Sequence, residues 1–184
     1  MIKSGNRAIL LKAAMEQFAE TGFHDTAMET ILRRTRFSKN TLYAGFSNKD
    51  ALIIATLIEY RKQWLEWFAG AVEEYSIEPM ERLVGLFDLL GAWFQQPSFR
   101  GCLITQALME YPGPKHPIHK AALRQRQIIH AKLHEWVKKA LRPAPDSLCT
   151  IVDMLFDGAI LTAQCSPTSE PAKEARMMLE RIIK

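Results

Sequence analysis

Apolar residues recur at helical spacing along this chain from Leu10 to Ile183, and no run alternates with period two long enough to form a strand. That pattern points to an all-α fold. Pro97-Ser98, Pro112-Gly113-Pro114, Arg142-Pro143-Ala144-Pro145 and Ser166-Pro167-Thr168 punctuate it sharply, because proline removes a helical donor and these clusters favour turns. Nine helices are predicted. The first covers 4–20, the second runs from Thr26 to a turn at 33–37, and the third is a short one opened by Ser38 and weakened at Gly45. The remaining six cover about 47–75, 79–95, 102–111, 117–141, 146–164 and 170–183. No internal repeat or low-complexity tract interrupts them.

The segment 26–52 constrains function most. Gly22 suits the position just past the first helix. Thr26 with Glu29 three residues on reads as a capping box, Ser38 as a second cap, and Ser47 with Asp50 as a third. Two short helices across a tight turn, followed at once by a new helix, are the means by which a small protein sets one helix end into a DNA major groove. Charge coincides with the motif. Residues 1–49 hold eight Lys or Arg against four acids, which is the whole net charge of +4. Lys39, Asn40 and Thr41 are the expected base-edge readers, with a phosphate as the alternative contact of Thr41: Lys donates to guanine, Asn pairs with adenine, and the Thr methyl suits thymine. Ser38, at a helix N-terminus, favours phosphate through free N–H groups and the helix dipole, and Arg36 in the turn is an added candidate.

Other classes fit poorly. The longest strongly apolar run, 51–58, lies between Asp50 and Glu59 and is too short to cross a bilayer. The first residues lack the apolar core and cleavage pattern of a secretion signal. Cys102, Cys149 and Cys165 are odd in number and form no CxxC pair, so neither a disulfide framework nor a zinc site is expected, and a reduced cytoplasmic setting is. His130 and His134 lie four apart and His116 and His119 three apart, without the glutamate of a metalloprotease helix. There is no glycine-rich phosphate loop, no G-x-S-x-G elbow, and no cysteine or serine with an evident base partner. The expectation is a non-enzyme without cofactor or metal.

The last two helices carry wide apolar stripes. Leu148, Ile151, Val152, Leu155 and Ala159 mark one, and Met178, Leu179 and Ile182 the other. Two such hairpins around a two-fold axis make a four-helix bundle, so these residues are the expected homodimer interface.

The chain resembles the TetR/AcrR family of bacterial transcriptional regulators. The likeness is carried by Leu-Leu-Lys-Ala-Ala-Met-Glu-Gln-Phe-Ala-Glu-Thr-Gly-Phe from Leu10, then 26–31, then Ser-Lys-Asn-Thr-Leu-Tyr from Ser38, then Phe46 and Lys49-Asp-Ala-Leu. Arg100-Gly-Cys-Leu-Ile and Asp157-Gly-Ala-Ile with Ala163-Gln164 are similar to segments of one subgroup. The resemblance implies a nine-helix homodimer with a helix-turn-helix DNA-binding domain at 1–47 and a ligand-binding and dimerisation domain at 48–184. It implies Tyr43, Thr26 and Lys49 as phosphate contacts on a double-stranded, palindromic operator. It also implies a pocket for a small, largely apolar effector, among Trp67, Phe87, Trp93, Cys102, Gln106, Glu110, His130 and Phe156. Repression relieved by that effector is the expected function. An effector-independent DNA-organising protein, and a regulator that senses oxidants or electrophiles through Cys102, are the alternatives. The family's turn residues (Ala, Gly and a β-branched residue) are replaced here by Thr35, Arg36 and Phe37, so a slightly different turn is expected.

Overall fold

The computed structural model describes residues 3–184, which contain nine α-helices and no strand among the described residues. They are α1 (Ser4–Thr21), α2 (Met28–Thr35), α3 (Lys39–Gly45), α4 (Lys49–Tyr75), α5 (Pro79–Phe94), α6 (Leu103–Glu110), α7 (Pro117–Ala140), α8 (Asp146–Cys165) and α9 (Glu170–Ile182). The described residues form two compact units, 3–63 with Leu103–Arg126, and Trp64–Cys102 with Gln127–Lys184. The long helices α4 and α7 each begin in the first unit and end in the second.

The first unit is built on α1. Leu10, Leu11, Ala14 and Phe18 recur at helical spacing and are all buried, where they meet α2 and α6. Phe18 lies 4.8 Å from the Phe23 ring. Gln17 is the polar exception on this face. Its amide donates to the Thr21 hydroxyl at 3.0 Å, which meets the Thr26 hydroxyl at 2.9 Å, so the buried polar groups satisfy one another.

Two helix starts differ from expectation. Thr26 does not cap α2: Ala27 holds the cap position with no side-chain bond, and the Thr26 hydroxyl donates to Gly22 O at 2.6 Å. At α4, Asn48 rather than Ser47 accepts from the Ala51 N–H, at 2.8 Å.

In the second unit α9 packs on α5 and α8. Gly85 of α5 makes room for Tyr75: a Cβ there would lie 2.5 Å from the ring. The Tyr75 hydroxyl donates to Asp88 at 2.6 Å, Asp88 also takes Arg176 of α9, and Arg176 reaches Glu180 at 3.0 Å. This chain ties the end of α4 to α5 and α9. The hydrogen bond to Asp88, and then burial, raise the Tyr75 hydroxyl above its ordinary range.

Candidate nucleic-acid interface

The α2–α3 turn is held by short local bonds. Thr35 Oγ1 donates to the carbonyl oxygens of Ile31 and Leu32 at 3.2 Å, and the Phe37 N–H reaches Thr35 Oγ1 at 3.4 Å. Arg36 takes the left-handed conformation, φ 56° and ψ 21°. The turn expected to deviate therefore keeps the positive-φ geometry and accepts an arginine in it. A non-glycine residue there carries a cost of about 1 kcal/mol. Arg36→Gly should stabilise the fold by about 0.5 kcal/mol after glycine's extra unfolded-state freedom is subtracted. A melting temperature raised by about 1–2 °C checks this; a lowered one contradicts it.

Ser38 caps α3 as expected. Its hydroxyl accepts the Thr41 N–H at 3.2 Å, and the Leu42 side chain is fully buried and anchors the helix. Lys39 and Asn40 are exposed, and Tyr43 is 50% exposed. The Thr41 hydroxyl is turned back on Ser38 Oγ at 3.0 Å, which leaves the Thr41 methyl as its other surface. Lys39 Nζ sits 3.2 Å from Glu29 Oε1, and a backbone hydrogen bond, followed by Lys39, holds the Glu29 carboxyl below its ordinary range. An exposed pair of this kind contributes little, so Lys39 can exchange Glu29 for a base edge or phosphate at small cost.

The remaining cations divide. Arg36 is exposed, whereas Arg34 is tied to Glu16 and Glu20 on α1 and Arg33 reaches Thr30 Oγ1. Thr26 is only 2% exposed with its hydroxyl committed inward, so the start of α2 presents backbone N–H groups rather than that side chain. Lys49 donates to His24 O at 2.9 Å. It thereby joins α4 to the α1–α2 connection.

That connection has a second anchor with no local sequence signal. Glu110 of α6 accepts the N–H groups of Phe23 (2.8 Å) and His24 (2.8 Å), and its backbone oxygen meets His24 Nε2 at 2.9 Å. Gln106 donates to Phe18 O at 3.3 Å and to Glu110 Oε1 at 3.0 Å. Both residues, expected to line a pocket, are thus occupied at the α1–α2 turn in the first unit. Trp67, Trp93 and Phe156 do come together in the second unit, around Trp64 at 5.9–6.4 Å between ring centroids. Phe87 is buried in α5, Cys102 is half-buried beside α6, and His130 bridges Asp153 and Asp157.

The expected interface residues also separate. Leu148, Val152, Ala159 and Leu179 are buried within the chain, Ile151 and Leu155 are half-buried, and Met178 and Ile182 are exposed. Exposed apolar groups missed in the sequence lie beside them: Met154 (63% exposed), Leu161 and Met177. Met154, Gly158 and Leu161 follow one another at i, i+4 and i+7 on a second face of α8, a spacing that a closer reading of the helix could have found.

The segment 10–56 matches the family model described as bacterial regulatory proteins, tetR family. Over 178 residues the chain is 20% identical to the HTH-type transcriptional regulator YjdC of Escherichia coli K12, covering 97% of this chain and 93% of that protein. It is 24% identical to the HTH-type transcriptional repressor DhaR of a Mycobacterium species, strain GP1, over 93% of this chain and 88% of that one. Its structure is similar to that of SCO4454, a regulator from Streptomyces coelicolor, with a TM-score of 0.87, 26% identity, and coverage of 98% of this chain and 95% of the other.

Proposed function

We propose that the chain, a helix-turn-helix transcriptional regulator of the TetR family, whose members bind operator DNA as dimers and are not enzymes, is a homodimeric repressor released from a palindromic operator by a small, largely apolar effector. The observation that carries this reading is the Ser38-capped α3, anchored by Leu42 and holding Lys39, Asn40 and Tyr43 outward. In this assignment residues 1–47 read DNA and 48–184 bind the effector and pair the subunits. Lys39, Asn40 and the Thr41 methyl meet base edges. Tyr43, Lys49, Arg36 and the N-terminal ends of α2 and α3 meet phosphates. Repression is supported by the likeness to a relative named as a repressor. The protein is then cytoplasmic, with its DNA.

Dimerisation in this reading uses the outward faces of α8 and α9. α8 is long and apolar enough by composition to cross a membrane, yet much of it is exposed in the single chain. A helix apolar on opposite sides is explained when one side faces its own core and the other a second subunit.

Salt titration of the operator complex tests the DNA assignments. With ~6–10 phosphate contacts per dimer, log K against log salt has a slope of about −5 to −9. Lys49→Ala weakens binding nearly evenly across sequences, whereas Asn40→Ala relaxes preference at particular positions. A slope near zero, or the same sequence profile for both variants, would overturn the assignments.

A second reading, thiol sensing, is favoured by one placement. Cys102 immediately precedes Leu103, the first residue of α6, whose other end holds the α1–α2 turn through Glu110. Rapid labelling of Cys102 at neutral pH with loss of operator binding is expected on that reading; slow labelling removes it.

A further inference from the structure

Arg7 stands apart from the other cations of the first unit. Its guanidinium carbon lies over the Phe46 ring, 5.1 Å from the ring centre. Phe46 is the residue just past α3; its N–H donates to Leu42 O at 2.9 Å, and its side chain is only 3% exposed. Arg7 itself is exposed, near the start of α1, with its N–H bonded to Lys3 O at 3.1 Å. The contact thus brings a cation from α1 to the junction between α3 and α4.

That junction belongs to the DNA-facing surface. Phe46 lies three residues after Tyr43 and three before Lys49, both assigned to phosphates above. Three residues span at most about 10–11 Å of chain, so the ring sits within that reach of both. Charges on one DNA strand repeat every ~3.4 Å along the axis, so a cation held between Tyr43 and Lys49 meets the same strand.

Arg7 is also uncommitted. Arg34 pairs with Glu16 and Glu20, Lys39 with Glu29, Arg33 reaches Thr30 and Lys49 reaches His24 O. Arg7 has no ion pair and no side-chain hydrogen bond among the described residues, and the first turn of α1 has no acidic residue. A guanidinium drawn to an aromatic face keeps its five N–H donors for an oxygen anion. The ring also removes part of the side chain's freedom before DNA arrives, which lowers the cost of binding.

We propose that Arg7 is a DNA-backbone contact from outside the helix-turn-helix, held by Phe46 so that its guanidinium forks onto a phosphate adjoining those of Tyr43 and Lys49. The inference rests on the DNA-binding reading and adds a residue of α1 to it.

Salt titration of the operator complex with the full-length parent, Arg7→Met and Lys12→Met tests it. Methionine keeps an unbranched stem over Phe46 and suits a helix. Lys12→Met removes the same charge from an exposed position about 140° around α1 from Arg7. Arg7→Met should make log K against log salt less steep by about 2, one phosphate per protomer, and weaken binding about tenfold or more at 0.1 M salt, evenly across operator sequences. Lys12→Met should change the slope by less than half as much. A role confined to covering Phe46 would leave the slope untouched. An unchanged slope for Arg7→Met, an equal change for Lys12→Met, or a shift in the preferred sequence overturns the proposal and leaves the DNA-binding reading standing. A slope near zero for the parent removes both.

Discussion

Gly158→Glu is expected to abolish operator binding while leaving each protomer folded. Nothing lies within 4 Å of a Cβ built on Gly158, so the single chain accommodates the side chain without a clash. Replacing glycine inside a helix also adds roughly 0.5–1 kcal/mol of local stability. The surroundings are Met154, Leu155, Thr162 and Met178, which with Glu174 and Gly158 line a groove between α8 and α9. If this groove meets its copy across a two-fold axis, the change adds two carboxylates to a largely apolar interface that already holds Glu174, so desolvation and like-charge repulsion together cost several kcal/mol each. The dimer dissociation constant then rises about 10³-fold or more. A monomer holds one half-site and loses the roughly 10²- to 10⁴-fold gain of joined binding. Sedimentation, gel shift and a melting curve together read the result. A variant that stays dimeric at micromolar concentration would move the interface elsewhere.

Glu110→Ala has the second largest expected effect. The carboxylate accepts two backbone N–H groups, and the residue that owns one of them, Phe23, is fully buried. Hydrogen bonds to a charged acceptor contribute about 1.5–3 kcal/mol, and the Phe23 N–H has little access to water once the partner is gone. The His24 N–H is exposed and recovers hydration, so its loss is smaller. A total near 2–3 kcal/mol corresponds to a melting temperature lowered by about 5–10 °C. Glu110→Gln, which keeps one acceptor oxygen, should recover about half. A loss under about 1 kcal/mol would mean that the α1–α2 turn is held by its own residues.

Helix number and order were readable in the sequence because proline and glycine breaks are local signals, and so was the Ser38 cap, whose partner is three residues away. The misread starts show where local reasoning fails. Thr26 has the right chemistry to cap α2, but Gly22 O and the Thr21 hydroxyl offer it a buried alternative. Ser47 and Asn48 are both competent caps, and the backbone chose Asn48. Glu110 was visible only as a polar residue in an apolar helix. Its partners lie 86 and 87 residues earlier, a separation no periodicity encodes. On α8 the period was right but two apolar faces were taken for one, because Met154 and Leu161 face away from Val152 and Phe156. Arg36 was recognised as a departure at the turn, and the structure resolves it by tolerating the positive φ.

Nuclease protection of the DNA upstream of the protein's own gene tests most directly the claim that two copies of α3 read one duplex. A two-fold symmetric footprint is expected, with half-sites one helical turn, about 34–36 Å, or a multiple of it apart, present for the parent protein and absent for Gly158→Glu. Protection that is unsymmetric, equally strong in the monomeric variant, or missing at moderate salt would contradict it.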